Sequence, residues 1–216
     1  MRRSLGRVIT LAALMPLALS CAMNKAEKGA IIGAGAGAAG GAVIGKATGS
    51  TVRGAIIGAV VGGAAGAIIG HQMDKQAQEL AYDLPGATVQ RIGEGITVTF
   101  PDGLLFGFDS DQIGSAAQDN LRRFAASLQK YQNTRTLIVG YTDSEGSADY
   151  NMDLSNRRAL SAANFITGEG VDRARISTAG RGEGEPIATN GSDAGRQLNR
   201  RVEVAIYADA AARSGQ

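Results

Sequence analysis

The stretch V-G-Y-T-D-S-E-G-S-A-D-Y-N-M-D-L-S-N-R-R, Val139–Arg158, decides how the chain is read. The apolar run Leu137–Val139 reads as a buried strand, extended by its neighbours to Thr136–Tyr141. Gly140 loosens the chain and Asp143 follows just past the strand's end. Small and polar residues come next, and the spacing predicts a helix over Ala148–Thr167, closed by Gly168 or Gly170. A carboxylate on the strand-to-helix loop then faces Arg158, within about three turns of the helix that follows. Ligands of such sheets sit beyond the carboxyl ends of the strands. An acid and a guanidinium held close suit a zwitterion, the acid taking an ammonium and the Arg fork a carboxylate. A direct Asp143–Arg158 ion pair is the competing reading.

Working outward, the flanking segments alternate strands with helices. Ile96, Val98 and Phe100 alternate with polar residues as a strand. Pro101-Asp102-Gly103 reads as a turn, and Leu104–Phe108 as a second strand. Ser115 is placed to cap a helix whose apolar positions Leu121, Phe124, Ala125 and Leu128 follow the 3.6-residue period. Arg175–Thr178 reads as a short strand, Gly180–Ser192 as a glycine-rich loop and Ala194–Asn199 as a short helix. Val202, Val204 and Ile206 alternate as a last strand. The pattern implies an α+β fold, an α/β sandwich with helices over one sheet face, across residues 95–210. Residues 211–216 read as a tail.

The first part of the chain has a different composition. Arg2, Arg3 and Arg7 precede the apolar run Val8–Leu19, so residues 1–20 read as a secretory signal. Cys21, the one cysteine of the chain, follows at once. Leu17-Ala18-Leu19-Ser20-Cys21 resembles a bacterial lipobox, with Ala18 where such boxes usually carry Leu. That resemblance implies a diacylglycerol thioether on Cys21 and an N-acyl chain after cleavage. Several acyl chains anchor stably where one is marginal. Ala22, which is not Asp, implies sorting to the outer membrane, and residues 21–28 form a lipidated tether.

From Gly29 to Gly49 a glycine stands at every fourth position, and after a five-residue step the spacing resumes from Gly54 to Gly70. Such a period lines one helix face with glycines, where another backbone can approach closely. Each glycine weakens a helix in water by roughly 1 kcal/mol, so tight packing or an apolar environment is required. Residues 29–71 are therefore expected to form a glycine-zipper hairpin, with arms at about 29–48 and 54–71 and a turn at Ser50–Arg53. Each arm is about 25 Å long, near the lower limit for crossing a bilayer. Membrane insertion, self-association and a flexible Gly/Ala tether remain open as alternatives. Residues 72–94 read as a polar connector helix and linker. Met73, Ala77, Leu80 and Leu84 give it a thin apolar stripe, and Pro85-Gly86 ends it.

Composition removes several functions. One Cys and one His leave no metal-ligand set and no intramolecular disulfide. A net charge of +2, with no basic stripe, argues against nucleic acid. Residues 95–210 contain neither His nor Cys to serve nucleophilic catalysis. Asp143, Glu145 and Asp149 could offer a glycosidase pair, but they share one loop without a hydrophobic pocket to raise one pKa. A proton-driven stator would need an acid within residues 29–70, which contain none.

Five blocks, in order, resemble the peptidoglycan-binding OmpA-like domain over residues 100–207. They are Phe108-Asp109-Ser110-Asp111; Gly140-Tyr141-Thr142-Asp143-Ser144-Glu145-Gly146; Asn151, Leu154-Ser155 and Arg158-Ala159; Gly180, Gly182-Glu183, Pro186 and Asn190; and Gly195-Arg196 with Asn199-Arg200-Arg201-Val202-Glu203. With the lipobox and the zipper in front, the chain resembles the YiaD-type envelope lipoproteins. The resemblance implies a non-enzymatic domain without cofactor that binds the diaminopimelate of the wall peptide and tethers the outer membrane, from its periplasmic side, to the wall. It implies that Asp143 takes the ammonium and Arg158 the carboxylate. Thr142, Asn151 and Leu154 then line the pocket, with Asp111, Arg200 and Arg201 as neighbours. Tyr141 stands where many members carry His, and Arg181 where they carry an aromatic, so the rim differs. Local readings compete at three points: Asn151 as a helix cap, Leu154 as core, and Arg196 with Arg200 and Arg201 as a loop-bracing cluster. The other functional reading is a zipper that inserts or oligomerises while the C-terminal domain only positions it.

Overall fold

The computed structural model of the protein describes residues 49–61, 67–107 and 109–209. The signal segment, Cys21, the first zipper arm and the tail lie outside the described residues. Among the described residues two helices come first, α1 at Thr51–Val61 and α2 at Ala67–Asp83. Strands β1, Thr88–Ile92, and β2, Gly95–Pro101, lead into a one-turn helix α3, Asp102–Leu105. Helix α4 spans Ser115–Lys130, β3 spans Thr134–Tyr141 and α5 spans Ala148–Gly168. A 3-10 turn at Arg173–Arg175 precedes β4, Ile176–Gly180, and α6, Asp193–Asn199, precedes β5, Arg201–Ala208.

The five strands form one sheet in the order β1-β2-β5-β3-β4. Only β3 and β4 run parallel, and α5 is the crossover that parallel pairing requires. All other pairs are antiparallel. The α+β architecture of the sequence reading stands, and strands β2 and β5 fall where alternation placed them and β3 where the apolar run did.

Strand alternation sends Ile96, Val98, Phe100, Ile138, Ile176, Val202, Val204 and Ile206 to one face, where they pack against α2, α4 and α5. There Phe100 and Phe124 meet edge to face, their centroids 5.9 Å apart. The expected helix positions Leu121, Phe124, Ala125 and Leu128 are all buried in this layer. Helix α5 approaches β3 so closely that a Cβ on Gly140 would lie 2.1 Å from the Ser155 carbonyl oxygen. Glycine at that position is what lets the crossover helix sit on its own strand.

Leu137, Val139, Tyr141, Ala179, Ala205 and Tyr207 occupy the opposite face. Helices were expected on one face only. Instead α1 covers this second face with Val52, Ala55, Ile56 and Ala59, an i, i+3, i+4, i+7 stripe. Ile56 comes so near the sheet that a Cβ on Gly95 would meet its Cγ2 at 2.7 Å. This part of the second zipper arm thus spends Val52, Ala55, Ile56 and Ala59 on the sheet and leaves Ile57 exposed. Its start is tied by Glu185, which accepts from the Thr51 N–H at 2.9 Å and from the Thr51 hydroxyl at 2.5 Å.

Other boundaries move as well. The turn at Ser50–Arg53 is shorter than expected, since α1 begins at Thr51. The second arm does not end at 71, because α2 runs from Ala67 through the expected connector to Asp83. The linker before residue 95 holds an unexpected strand, β1, joined to β2 through Gly93-Glu94. Of the expected strand Leu104–Phe108 the described part, 104–107, is not a strand: Pro101 fixes the entry and the chain coils into α3, leaving only a bridge from Phe106 to Ile113. Ser115 is the first residue of α4 and not its cap, which is Gly114. Among the described residues no helix is long and apolar enough to cross a membrane.

Candidate functional site

Strand β3 delivers Asp143 beyond its carboxyl end. The parallel ladder continues one residue past the strand, where Thr142 N–H donates to the Gly182 carbonyl at 2.9 Å. Asp143 then turns on itself: its Oδ1 accepts from the Glu145 N–H at 3.0 Å, an Asx-type turn. The Thr142 hydroxyl donates to the Asp143 carbonyl at 2.9 Å, and the Asn151 amide reaches the same carbonyl at 3.2 Å. Asn151 also donates to Glu183 at 2.7 Å. It is therefore a buried clasp between two loops, while the cap of α5 is Ser147, which accepts from the Tyr150 N–H.

Helix α5 presents Asn151, Leu154 and Arg158 on one buried stripe. Leu154 is buried, yet it belongs to neither apolar layer of the sheet. Arg158 is 2% exposed. Its Nε donates to the Ser110 carbonyl and its Nη2 to Asp102 Oδ2, both at 2.9 Å. The ring of Phe106 lies 5.4 Å from the guanidinium carbon. Burial lowers the Arg158 pKa from its ordinary value, and Asp102 and Asp109 work against that shift.

The direct Asp143–Arg158 pair of the competing reading does not form. Asp143 pairs with Arg200, whose Nη1 donates to its Oδ2, and Arg158 pairs with Asp102. Burial pushes the Asp102 carboxyl up to about 6; Arg158 and Arg200 pull it down and Asp143 pushes it further up. Asp102 Oδ1 is buried without a hydrogen-bond partner. Two acids and two arginines thus converge here, each carboxylate bound to its own guanidinium.

The remaining expected neighbours separate. Asp111 lies at the rim, with Arg157 Nε 3.1 Å from its carboxylate. Arg201 belongs to the other face of the sheet. Its guanidinium stacks on Tyr141 at 3.8 Å and donates to Glu203 at 2.7 Å and to the Glu185 carbonyl at 3.1 Å. The residue step from Arg200 to Arg201 crosses the pleat, so the two cannot serve one pocket. Burial and the nearby Glu203 and Glu185 raise the Tyr141 pKa well above the ordinary phenol value. Arg196 braces its loop through the Asn190 carbonyl at 2.9 Å. Cys21 lies outside the described residues.

Asp102 and Asp109 were missed as site residues. Asp102 carried only a turn signal after Pro101. Asp109 has φ +53°, the one non-glycine residue with positive φ among the described residues, and accepts from the Tyr150 hydroxyl at 2.5 Å. Backbone strain of this kind gathers at functional sites, but no sequence pattern announces it. Among the described residues no group of His, Cys, Asp and Glu could hold a metal ion.

Residues 105–200 match the family model described as the OmpA family, and residues 1–74 match the YMGG-like Gly-zipper. The chain is 38% identical over 138 residues to the probable lipoprotein YiaD of Escherichia coli K12, covering 63% of each protein. It is 38% identical over 103 residues to the peptidoglycan-binding protein ArfA of Mycobacterium tuberculosis, covering 48% of this chain and 32% of that one. The chain thus spans less than two thirds of the length of these curated relatives. Among solved structures it is similar to the cell wall anchor of the T6SS from Pseudomonas aeruginosa. That likeness has a TM-score of 0.57 and 31% identity, over 62% of this chain and 97% of that one.

Proposed function

We propose that the C-terminal domain of this chain, whose residues 105–200 match the OmpA family model, binds bacterial peptidoglycan non-covalently, by the diaminopimelate of the peptide stem. Asp143 takes the ligand's ammonium and Arg158 its carboxylate. Thr142, Asn151 and Leu154 form the wall, and Arg200 holds Asp143 in place. The domain does no chemistry on the wall and needs no cofactor. Lipid on Cys21 anchors the chain in the outer membrane with the domain in the periplasm, so the protein ties that membrane to the wall.

The observation that carries the reading is the absence of an Asp143–Arg158 pair. A direct pair would close the gap between the two groups. Here each is held by a different partner, Arg200 or Asp102, so the two stay apart and a zwitterion can bridge them. Asp143 is 6% exposed and Arg158 2%, so a ligand that reaches them meets charges already stripped of most water. Polar interactions gain strength in such surroundings.

The test is co-sedimentation of the full chain in detergent with diaminopimelate-type peptidoglycan. The full chain is needed because α1 closes the second face of the sheet. Asp143→Ala and Arg158→Ala each leave one ligand charge unpaired, a loss of about 2–5 kcal/mol. Bound protein is expected to disappear from the pellet at concentrations that saturate the wild type, with circular dichroism showing that the variants still fold. Undiminished binding by Asp143→Ala would move the site elsewhere.

A further inference from the structure

Arg158 is held by one short piece of chain at two points. The one-turn helix α3 begins at Asp102, whose carboxylate accepts from Nη2. It ends at Phe106, whose N–H closes the turn on the Asp102 carbonyl at 2.8 Å and whose ring lies beside the guanidinium. With Ser110 holding Nε, the plane of the guanidinium is fixed and Nη1 is the nitrogen left to give. Asp102 also touches the second arginine: its N–H donates to the Arg200 carbonyl at 3.0 Å. One residue thus links both cations of the site.

Yet Asp102 is only half satisfied. It is 7% exposed, and Oδ1 has no partner. A buried polar atom without a partner calls for an explanation in a folded protein. A carboxylate ligand at Arg158 would bring a second anion against this one.

We propose that Asp102 is the positioning residue of the Arg158 subsite and its proton-linked gate, holding the guanidinium for a ligand carboxylate and taking a proton from solvent at Oδ1 as that carboxylate arrives. The inference rests on the reading of this site as one that binds a carboxylate. The charged groups around Asp102 are Arg158 on α5, Arg200 ahead of β5 and Asp143 after β3; Asp109 and Tyr150 act on Arg158 from its other side. The carboxyl already titrates at about 6, held up by burial against two arginines. A ligand anion pushes it the same way Asp143 does. Protons are therefore taken up on binding, and affinity rises as pH falls.

Calorimetric titration of the full chain with free diaminopimelate, from pH 5.5 to 7.5, tests this. The wild type is expected to bind roughly three- to tenfold more weakly at pH 7.5 than at pH 5.5. Asp102→Asn keeps an oxygen toward Nη2 and removes the charge, so its affinity is expected to be flat with pH and at pH 7.5 to exceed that of the wild type. Asp102→Ala leaves the guanidinium unheld and is expected to bind weakly throughout. Groups that titrate elsewhere would appear equally in the wild type and in Asp102→Asn. A flat wild-type profile, or the same slope in the wild type and Asp102→Asn, overturns the inference and leaves wall binding standing. No binding of diaminopimelate by the wild type at any pH overturns the functional reading, and this inference with it. Should Asp102→Ala fail to fold, the Asp102→Asn profile still decides.

Discussion

The two faces of the sheet are built by the same strands and finished in opposite ways. On one face Val98, Phe100, Ile138 and Val204 lie under three long helices, with Phe, Leu and Ile filling the space between. On the other, among the described residues, Leu137, Val139 and Tyr141 lie under one helix, α1, with two alanines among the four apolar side chains it packs on them. The first is a core in the full sense, and its helices are continuous with the chain that makes the site. The second is a thin cover supplied by a segment whose glycine period suggested quite another use. A sheet buried on both faces needs both covers, but they need not carry equal energy.

Phe124→Ala is the sharpest probe of the thick face. The ring is fully buried and meets Phe100 edge to face. Truncation leaves a cavity among rigid neighbours, a loss of about 3–5 kcal/mol. Urea unfolding of the full chain is expected to show a midpoint shift of that size with α1 and the site lost in the same transition.

Ile56→Asp probes the thin face. Ile56 is 1% exposed, and an aspartate there buries an unpaired charge against Ile92 and Gly95. The stability of the α1 contact is expected to fall by about 2–3 kcal/mol. Hydrogen exchange is the measurement: amides of residues 51–61 should lose protection while those of β3 and β5 keep it, as a separate opening unit would. If β3 and β5 lose protection together with α1, the faces form one cooperative unit and the contrast between them is broken.

What the sequence made legible follows the range of the forces involved. Local pattern placed these elements: periodicity α4, β2 and β5, an apolar run β3, and the flanking loop and closing glycines α5. Strand β1, T-V-Q-R-I, is a five-residue edge strand with only partly buried side chains, so its alternation is weak. Leu104–Phe108 has the apolar run of a strand, but Pro101 and Asp102 start a turn that overrides it. The α1 stripe was present in the sequence at Val52, Ala55, Ile56 and Ala59, interleaved with Gly54 and Gly58. The glycine period masked it, and its partner strands β3 and β5 lie more than seventy residues on. At the site, Asp143, Asn151 and Arg158 stood in one short stretch and were readable. The partner of Arg158 was not, since Asp102 lies 56 positions away and resembles any turn residue.

The smallest expected effect concerns how each face ends in charge. Beyond the thin face Arg201 is bonded on three sides, to Glu203, the Asn199 carbonyl and the Glu185 carbonyl, and Tyr141 lies beneath it. Beyond the thick face Asp102 keeps one buried oxygen unbonded. Its carboxyl titrates at about 6 in the folded protein and near 3.9 in an unfolded chain. Between those values the folded state holds a proton that the unfolded state has already lost. Ionised Asp102 therefore costs stability at neutral pH, and that cost is relieved as pH falls from about 6 toward 4. Linkage sets the gain at about 2–3 kcal/mol at most. Glu79, whose pKa is lowered first of all by its bond to Lys130, runs the opposite way, but only below its ordinary value near 4.5. Urea midpoints at pH 6.5, 5.5 and 4.8 are thus expected to rise in the wild type and to stay level in Asp102→Asn. A rise of equal size in both would assign the slope to other groups and make the charged end of the thick face as settled as that of the thin one.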